Sequence, residues 1–398
     1  MNYSQPRFSP LVHRLHNDGL SGWDVHTRAE EAVEAGEVGV IILSVGDPDF
    51  STPEQIVESA VAALRGGDTH YTPMNGRADL RAAIAADTQQ RTGLDLDADN
   101  VVVAAGTQNA MFAASLCIAG EGDEVIALEP MYLTYESTFT IAGAELVRVA
   151  QPAPGFRPDI AAIESAITPS TRAIVITNPN NPTGVVMTRD ELASIAGFAI
   201  RHDLWVISDE VYGDVLFGES GAVRSIASLP GMAERTVICG SLSKSHAMTG
   251  WRVGWAVGPR EMMDHIHAMQ VVVNYGIPGF IQQAALDALV QFKDTADAMR
   301  ETYLQRRDLA VNALAAAPEL AVLVPDAGMY LLVDVSAVAQ SSADFCTALF
   351  DEQRVALLDA KAFGESADGW VRLSFTASTA DIREGCRRIV EFVRSSPP

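Results

Sequence analysis

The chain has 398 residues, with 28 basic and 51 acidic side chains and a formal net charge of −23. That charge excludes a nucleic-acid binder working by phosphate neutralisation. With 48% apolar and 20% charged residues, 30 Gly and 19 Pro, the composition excludes disorder and collagen-like structure, and the length suits a large domain plus a smaller one.

The N-terminus, MNYSQPRFSPLVHRL, lacks an apolar signal core, and no apolar run approaches the roughly 18 residues that a membrane span needs. Cys117, Cys239, Cys346 and Cys386 lie far apart in apolar stretches without a C-x-x-C. They are expected to be reduced, buried thiols of a cytoplasmic, unprocessed protein. Residues 1–45 are expected to form an arm that packs with the small domain or a second subunit. A helix follows, with Thr52 as N-cap, Pro53 in the first turn, Gln55 closing a capping box, and Ile56, Val57, Ala60, Val61 and Leu64 on one face before Gly66 and Gly67.

Seven short Val/Ile-rich runs then alternate with helical stretches: NVVVAAG, DEVIALEP, ELVRVA, TRAIVITNP, LWVISDEV, RTVICGSL and RVGWAVG. This is the pattern of an α/β domain with a largely parallel sheet, placed at residues 46–289. From about residue 290 a charged helix (Asp294 to Ala317) leads into YLLVDVS, VALLDA and WVRLSF, which reads as a smaller α+β domain over 290–398. No internal repeat or acidic tail is present, so the negative charge is spread over solvated faces.

The sequence holds no G-x-G-x-x-G, no H-E-x-x-H and no G-x-x-x-x-G-K-[ST], which weighs against dinucleotide, zinc-protease and phosphate-loop readings; no metal site is expected. Only three lysines, Lys244, Lys293 and Lys361, stand against 25 arginines. Lys293, in LVQFKDTADAMR, reads as a solvated helix position and Lys361, in LLDAKAFGES, as a loop residue. Lys244 follows a strand within CGSLSKSHAMTGWRVGW, with Arg252 eight residues on. Alone it would be read as a surface lysine.

A lysine joined to pyridoxal phosphate needs a phosphate cup, a carboxylate at the pyridine nitrogen, a donor to the ring hydroxyl, an aromatic face and a cation for the substrate carboxylate. Each has a candidate at a strand end. Gly106, Thr107 and Gln108 open a helix after VVVAA and can offer backbone N–H groups to a phosphate, although an ordinary turn would look the same. Asn181 in NPNNPTG, Asp209 and Tyr212 in SDEVY, and Tyr132 in EPMYLTYE stand where open α/β sheets bind ligands. Their structural alternatives are a turn, a helix cap and a core aromatic. Arg372 in VRLSF is flanked by apolar residues, and an arginine so placed ordinarily has a carboxylate partner.

The ordered set SVGDPDF, THYTPMNG, AGTQNA, EPMYLTY, NPNNPTG, SDEVY, SLSKSHAMTGWRVGW and VRLSF resembles the class I aminotransferases of the fold type I pyridoxal phosphate enzymes over nearly the whole chain. Within them it resembles the branch of prokaryotic-type aspartate, aromatic and kynurenine aminotransferases, and most closely the bacterial arginine:pyruvate transaminases. The resemblance implies a mostly parallel seven-stranded sheet between helices, a smaller α+β domain and a homodimer with shared active sites. It implies that Lys244 carries the cofactor, Asp209 faces the pyridine nitrogen, and Asn181 and Tyr212 bond the ring oxygen. The phosphate would be met by Gly106, Thr107, Gln108, Ser241 and Arg252, with Tyr71 reaching it from the neighbouring subunit. Tyr132 would stack on the ring; Arg372, Asn181 and the Gly46 backbone would hold the substrate α-carboxylate.

One departure is the loop LLDAKAFG, with Asp359, Ala360 and Lys361 where relatives often have P-G-x-x-F-G. For the amino donor, Gln108 stands where acidic-substrate relatives can place a cation, which weighs against aspartate. Asp24, in SGWDVH, is the candidate acid for an arginine side chain, its alternative being solvated surface. A β-lyase acting on cysteine conjugates would use the same residues. A transcription regulator of this fold would need a basic helix-turn-helix segment, for which no residues are left over.

Overall fold

The computed structural model describes residues 7–15, 22–218 and 225–395. In chain order the elements are α1 (Asp24–Glu34), β1 (Ile41–Ile42), α2 (Glu54–Arg65), α3 (Ala78–Thr92), β2 (Val101–Ala104), α4 (Thr107–Ile118), β3 (Glu124–Glu129), α5 (Tyr135–Thr140), β4 (Glu145–Ala150), α6 (Ile160–Ser165), β5 (Thr171–Thr177), α7 (Arg189–Arg201) and β6 (Trp205–Asp209). There follow β7 (Thr236–Ser241), β8 (Gly254–Val257), α8 (Arg260–Val273), α9 (Gly279–Val290), α10 (Asp294–Leu314), β9 (Ala321–Leu323), β10 (Tyr330–Asp334), α11 (Ser342–Gln353), β11 (Val355–Ala356), β12 (Leu358–Asp359), β13 (Trp370–Ser374) and α12 (Thr379–Ser395).

All seven apolar runs fall into one sheet of order β2-β8-β7-β6-β5-β3-β4, parallel except for β8. Helices cover both faces, so the strands read as continuous apolar runs whose residues alternate between two cores. Ala173, Val175 and Ile207 face Met111 of α4 and Ile266 of α8. Ile174, Ile176 and Val206 face Leu192 and Ile195 of α7. Near the β2 edge, Val101, Val103 and Trp255 pack on Ile56, Leu80 and Ala284 of α2, α3 and α9.

The smaller sheet is antiparallel, in the order β12-β13-β10-β9. Its core includes Val25, Ala29 and Ala32 of α1 together with Leu331, Val333, Val371 and Ile389. The pairing of β1 with β11 in parallel ties the N-terminal arm to this layer. Among the described residues no helix is long and apolar enough to cross a membrane.

Two local expectations change. The cap of α2 is Pro53 rather than Thr52, and its capping box is absent. The Thr52 hydroxyl is instead engaged by the loop after β7, donating to Ala247 O at 2.5 Å and accepting from Trp251 Nε1 at 2.8 Å. Helix α10 stops at Leu314 rather than Ala317, because its last turns tighten ahead of Pro318, which disfavours helix in the residue before it. Where both halves of a capping box are free it does form, as at Thr188 and Glu191 of α7. Three cysteines are buried and Cys117 is half-buried; all four are free thiols.

Candidate active site

The parallel strands β5, β6 and β7 end at Thr177, Asp209 and Ser241 on one edge of the sheet, beside the first turn of α4. One cavity there brings together Gly46, Thr107, Gln108, Tyr132, Asn181, Asp209, Tyr212, Ser241, Lys244, Arg252 and Arg372. The distances along the chain are long, yet the contacts are direct. Lys244 Nζ donates to Gly46 O at 2.6 Å.

Asp209 closes the floor. Its Oδ2 accepts from the Tyr135 hydroxyl at 2.7 Å and its Oδ1 from Val211 N at 3.2 Å. Burial pushes its carboxyl up to about 6, against the opposing effects of those two hydrogen bonds and the Lys244 charge. A buried carboxylate held this way is suited to a cationic ring N–H. Tyr135 itself is lifted well above its ordinary value by burial and by Asp209, so it serves as a neutral donor.

The phosphate-sized end is built from backbone. Gly106 caps α4 at φ 84° without a side-chain hydrogen bond, leaving the first N–H groups of that 12-residue helix directed toward the cavity. A Cβ on Gly106 would lie 2.5 Å from Arg252 Nη2, and one on Gly254 would lie 2.6 Å from Gly106 C and 2.7 Å from Thr107 N, so both glycines keep this cradle open. The Thr107 hydroxyl is buried and has no hydrogen-bond partner. Arg252 stands over the cradle, fixed by its bonds to Thr249 O (2.8 Å) and Ala105 O (3.3 Å). An orphan hydroxyl, free helix N–H groups and an arginine fit a phosphate, while Lys244 and Asp209 fit the carbonyl carbon and ring nitrogen of pyridoxal phosphate. Arg252 and Ala247, in the loop carrying Lys244, have φ of 54° and 49°, strain that the surrounding contacts hold in place.

The Tyr212 oxygen receives Asn181 Nδ2 at 3.4 Å and lies 3.3 Å from the Tyr330 hydroxyl. Burial raises Tyr212 well above its ordinary value, whereas Tyr330, which burial alone would also raise, is drawn below it by Arg372 and Lys244. Either hydroxyl of this pair can donate to the other, and both residues line the cavity.

Arg372 differs from the structural reading of its sequence position. Its partners are neutral: Asn181 Oδ1 at 3.1 Å, Ser44 O at 2.6 Å, and the rings of Tyr330 and Phe363, centred 4.1 and 4.8 Å from Cζ. Its Nε is buried without a partner. A buried guanidinium with neutral neighbours and a spare N–H is a receptor for an anion.

Tyr71 is not in this cavity. It lies 82% exposed on the outer surface, edge-on to Tyr275. Gln108 faces neighbouring hydroxyls, bonding Thr134 and Thr138, rather than any second cation. Asp24 is exposed and does not line the cavity; its neighbour Trp23 does. Lys293 pairs with Asp87 at 3.0 Å, and Lys361 with Glu365 and Asp368 at 3.2 and 3.3 Å, all away from the cavity. The divergent loop forms a 3-10 helix at Ala360–Phe363, capped by Asp359, which accepts from Lys361 N.

Sequence reasoning missed Tyr135, Thr177, Tyr330 and Trp23. Tyr135 stands within the motif EPMYLTY and Trp23 within SGWDVH, whereas Thr177 and Tyr330 carried no polar-cluster signal.

The family model for aminotransferase classes I and II matches residues 38–389. The chain is 45% identical to the arginine–pyruvate transaminase of Pseudomonas aeruginosa, over 96% of this chain and 97% of that one. It is 34% identical to an aromatic-amino-acid aminotransferase of Thermococcus litoralis, covering 90% and 92% of the two chains. Among solved structures, the Thermus thermophilus aspartate aminotransferase with maleate superposes with a TM-score of 0.91 at 32% identity, covering 97% of this chain and all of that one. The chain therefore belongs to the class I and II aminotransferases and is a pyridoxal phosphate-dependent enzyme of fold type I.

Proposed function

We propose that the enzyme moves the amino group of arginine to pyruvate in a ping-pong cycle. The observation that carries the donor assignment is the placement of cations: among the described lining residues they are Lys244, Arg252 and Arg372, each with its own task, so none is left for the second carboxylate of an acidic donor. Trp23 in the cavity lining offers an apolar face to a long side chain, and the relative that transaminates arginine with pyruvate is 45% identical. The charge of −23 favours the approach of cationic donors, an effect that salt screens.

In this reading Lys244 would hold the cofactor and would act as the base and acid that moves the proton of the substrate Cα. Bound pyridoxal phosphate supplies a conjugated electron sink next to that carbon. Asp209, braced by Tyr135, keeps the ring nitrogen protonated, while Asn181 and Tyr212 hold the ring oxygen and Tyr132 covers the ring face. Thr107, Gln108, Ser241, Arg252 and the Gly106 turn hold the phosphate. Arg372, with Asn181 and the Gly46 backbone, would grip the α-carboxylate and orient the Cα–H bond for proton removal.

Tyr71 reaches the phosphate of a second copy, so the working unit is a homodimer. Its exposure, alongside exposed Val272 and Tyr275, supports that role. The free cysteines support a cytoplasmic location. We place the domain limits at 46–289 and 290–398, with residues 1–45 as an arm joined to the smaller domain; the packing of α1 in that core supports this division.

The test is a single-turnover half-reaction of holoenzyme with individual amino acids and no acceptor, followed through the absorption of the lysine-bound cofactor. Loss of that band with one 2-oxo acid per site, fastest with arginine, is expected, and Lys244→Ala should abolish it. A persisting band with pyruvate and ammonia accumulating would establish lyase chemistry, and a faster reaction with aspartate would overturn the donor.

A further inference from the structure

Arg372 owes its position to rings as much as to hydrogen bonds, and one ring, Phe363, sits on the loop that follows β12. Two contacts pin this loop to the end of β3 in the other sheet. Met131 N donates to Phe363 O at 2.9 Å, and the side chain of Glu129, 5% exposed, accepts Ser366 N at 2.8 Å. Gly364, between them at φ 141°, lies against the Glu129 carboxylate so closely that a Cβ there would collide with it. The second carboxylate oxygen is 3.9 Å from Arg148, whose guanidinium is engaged by Glu136, so Ser366 N is the close partner of Glu129.

We propose that Glu129 is a positioning residue for substrate-carboxylate recognition. By holding residues 363–366 it keeps the Phe363 ring against the Arg372 guanidinium, and so keeps Nη1, Nη2 and the unpartnered Nε in the plane that receives a carboxylate. The guanidinium lies over both the Tyr330 and Phe363 rings, and losing the Phe363 contact weakens its hold. If the loop withdraws, water enters on the Phe363 side and the guanidinium is free to turn. Both terminal nitrogens have neutral acceptors, Asn181 Oδ1 and Ser44 O, so no protein charge would restore it. The inference rests on reading Arg372 as the carboxylate site.

The experiment compares holoenzyme variants in the half-reaction with arginine and with agmatine, the same side chain without the carboxylate. Glu129→Ala is expected to raise KM for arginine about tenfold, the share of a charge-assisted hydrogen bond that reaches Arg372. It should leave kcat, the agmatine rate and cofactor absorbance within about twofold of wild type. Glu129→Gln, which keeps the acceptor, should restore most of the arginine KM. Gly364→Ala pushes on the same contact from the loop and should give the same split, and adding it to Glu129→Ala should cost less than the sum, because the colliding side chain is gone. Equal losses with arginine and agmatine, or no rescue by glutamine, would refute the proposal and leave Glu129 a fold-supporting residue. Arg372→Leu separates the two readings. If it fails to abolish the preference for arginine over agmatine, the carboxylate site is wrong; if it does abolish it while Glu129→Ala changes nothing, the proposal for Glu129 alone fails.

Discussion

Tyr135→Phe removes one oxygen from a fully buried ring and leaves its edge-on packing with Tyr132 and Phe139, at 6.0 and 6.5 Å, available to the phenyl group. What is lost is the 2.7 Å hydrogen bond to Asp209 and the 2.6 Å contact with Thr177 Oγ1. A hydrogen bond to a charged group contributes about 1.5–3 kcal/mol, and about 1.4 kcal/mol is one pKa unit, so the Asp209 carboxyl should rise by about one to two units. Since burial already places it at about 6, the apoenzyme carboxyl would be largely protonated at neutral pH. With Asp209 at the ring nitrogen, as proposed, the same energy is withdrawn from its carboxylate in the holoenzyme, so the half-reaction with arginine should slow by about ten- to a hundredfold. Stopped-flow single turnovers measure the rate, and infrared difference titration of the apoenzyme measures the carboxyl. A variant with the wild-type rate and an unmoved carboxyl would show that Tyr135 is packing alone, and the role of Asp209 argued through it would have to be withdrawn.

Arg372→Leu should lower kcat/KM for carboxylate-bearing donors by about a hundredfold or more, since a buried guanidinium–carboxylate pair is removed, while cofactor binding stays intact by absorbance. Gly254→Ala drives a Cβ to 2.6–2.7 Å from the backbone of Gly106 and Thr107, and equilibrium titration of the apoenzyme should show at least a tenfold weaker hold on the cofactor with the fold retained by circular dichroism. Asp209 is raised in the folded state from 3.8 to about 6, so the stability it contributes is present below about pH 4 and lost as pH rises through 6. The unfolding free energy of the Asp209→Asn apoenzyme relative to wild type should therefore improve by up to about 3 kcal/mol between pH 4 and 7, and a difference independent of pH would contradict the assignment.

The strands of the main sheet were legible because each is an apolar run ended by polar residues, and burial on both faces leaves no competing pattern. The two-residue β1 and three-residue β9 carry no such signal; they exist because β11 and β10 offer them edges. The site was legible only as a set: Asn181, Asp209 and Lys244 each have an ordinary structural alternative, and it was their joint fit to one cofactor that singled them out. Where a side chain was judged by its own segment alone, the reading failed. Thr52 looks like a helix cap until Trp251, 199 residues away, takes its hydroxyl, and of the two readings of Asp24 the structure favours solvated surface, with its neighbour Trp23 lining the cavity instead. Each contact that builds the site joins two motifs that lie far apart along the chain: Lys244 meets Gly46 across 198 positions, Arg372 meets Asn181 across 191, and Asp209 meets Tyr135 across 74. A motif marks the residue with a chemical task, but its surroundings come from chain folding, and those surroundings set the pKa of Asp209 and give Arg372 neutral partners. Ser366 belongs to that second category, since no motif includes it; it meets Glu129, which ends β3 and opens EPMYLTY, across 237 positions. The residues that tune this enzyme are thus to be sought in the contacts that chain folding makes between distant motifs, rather than in any one motif read by itself.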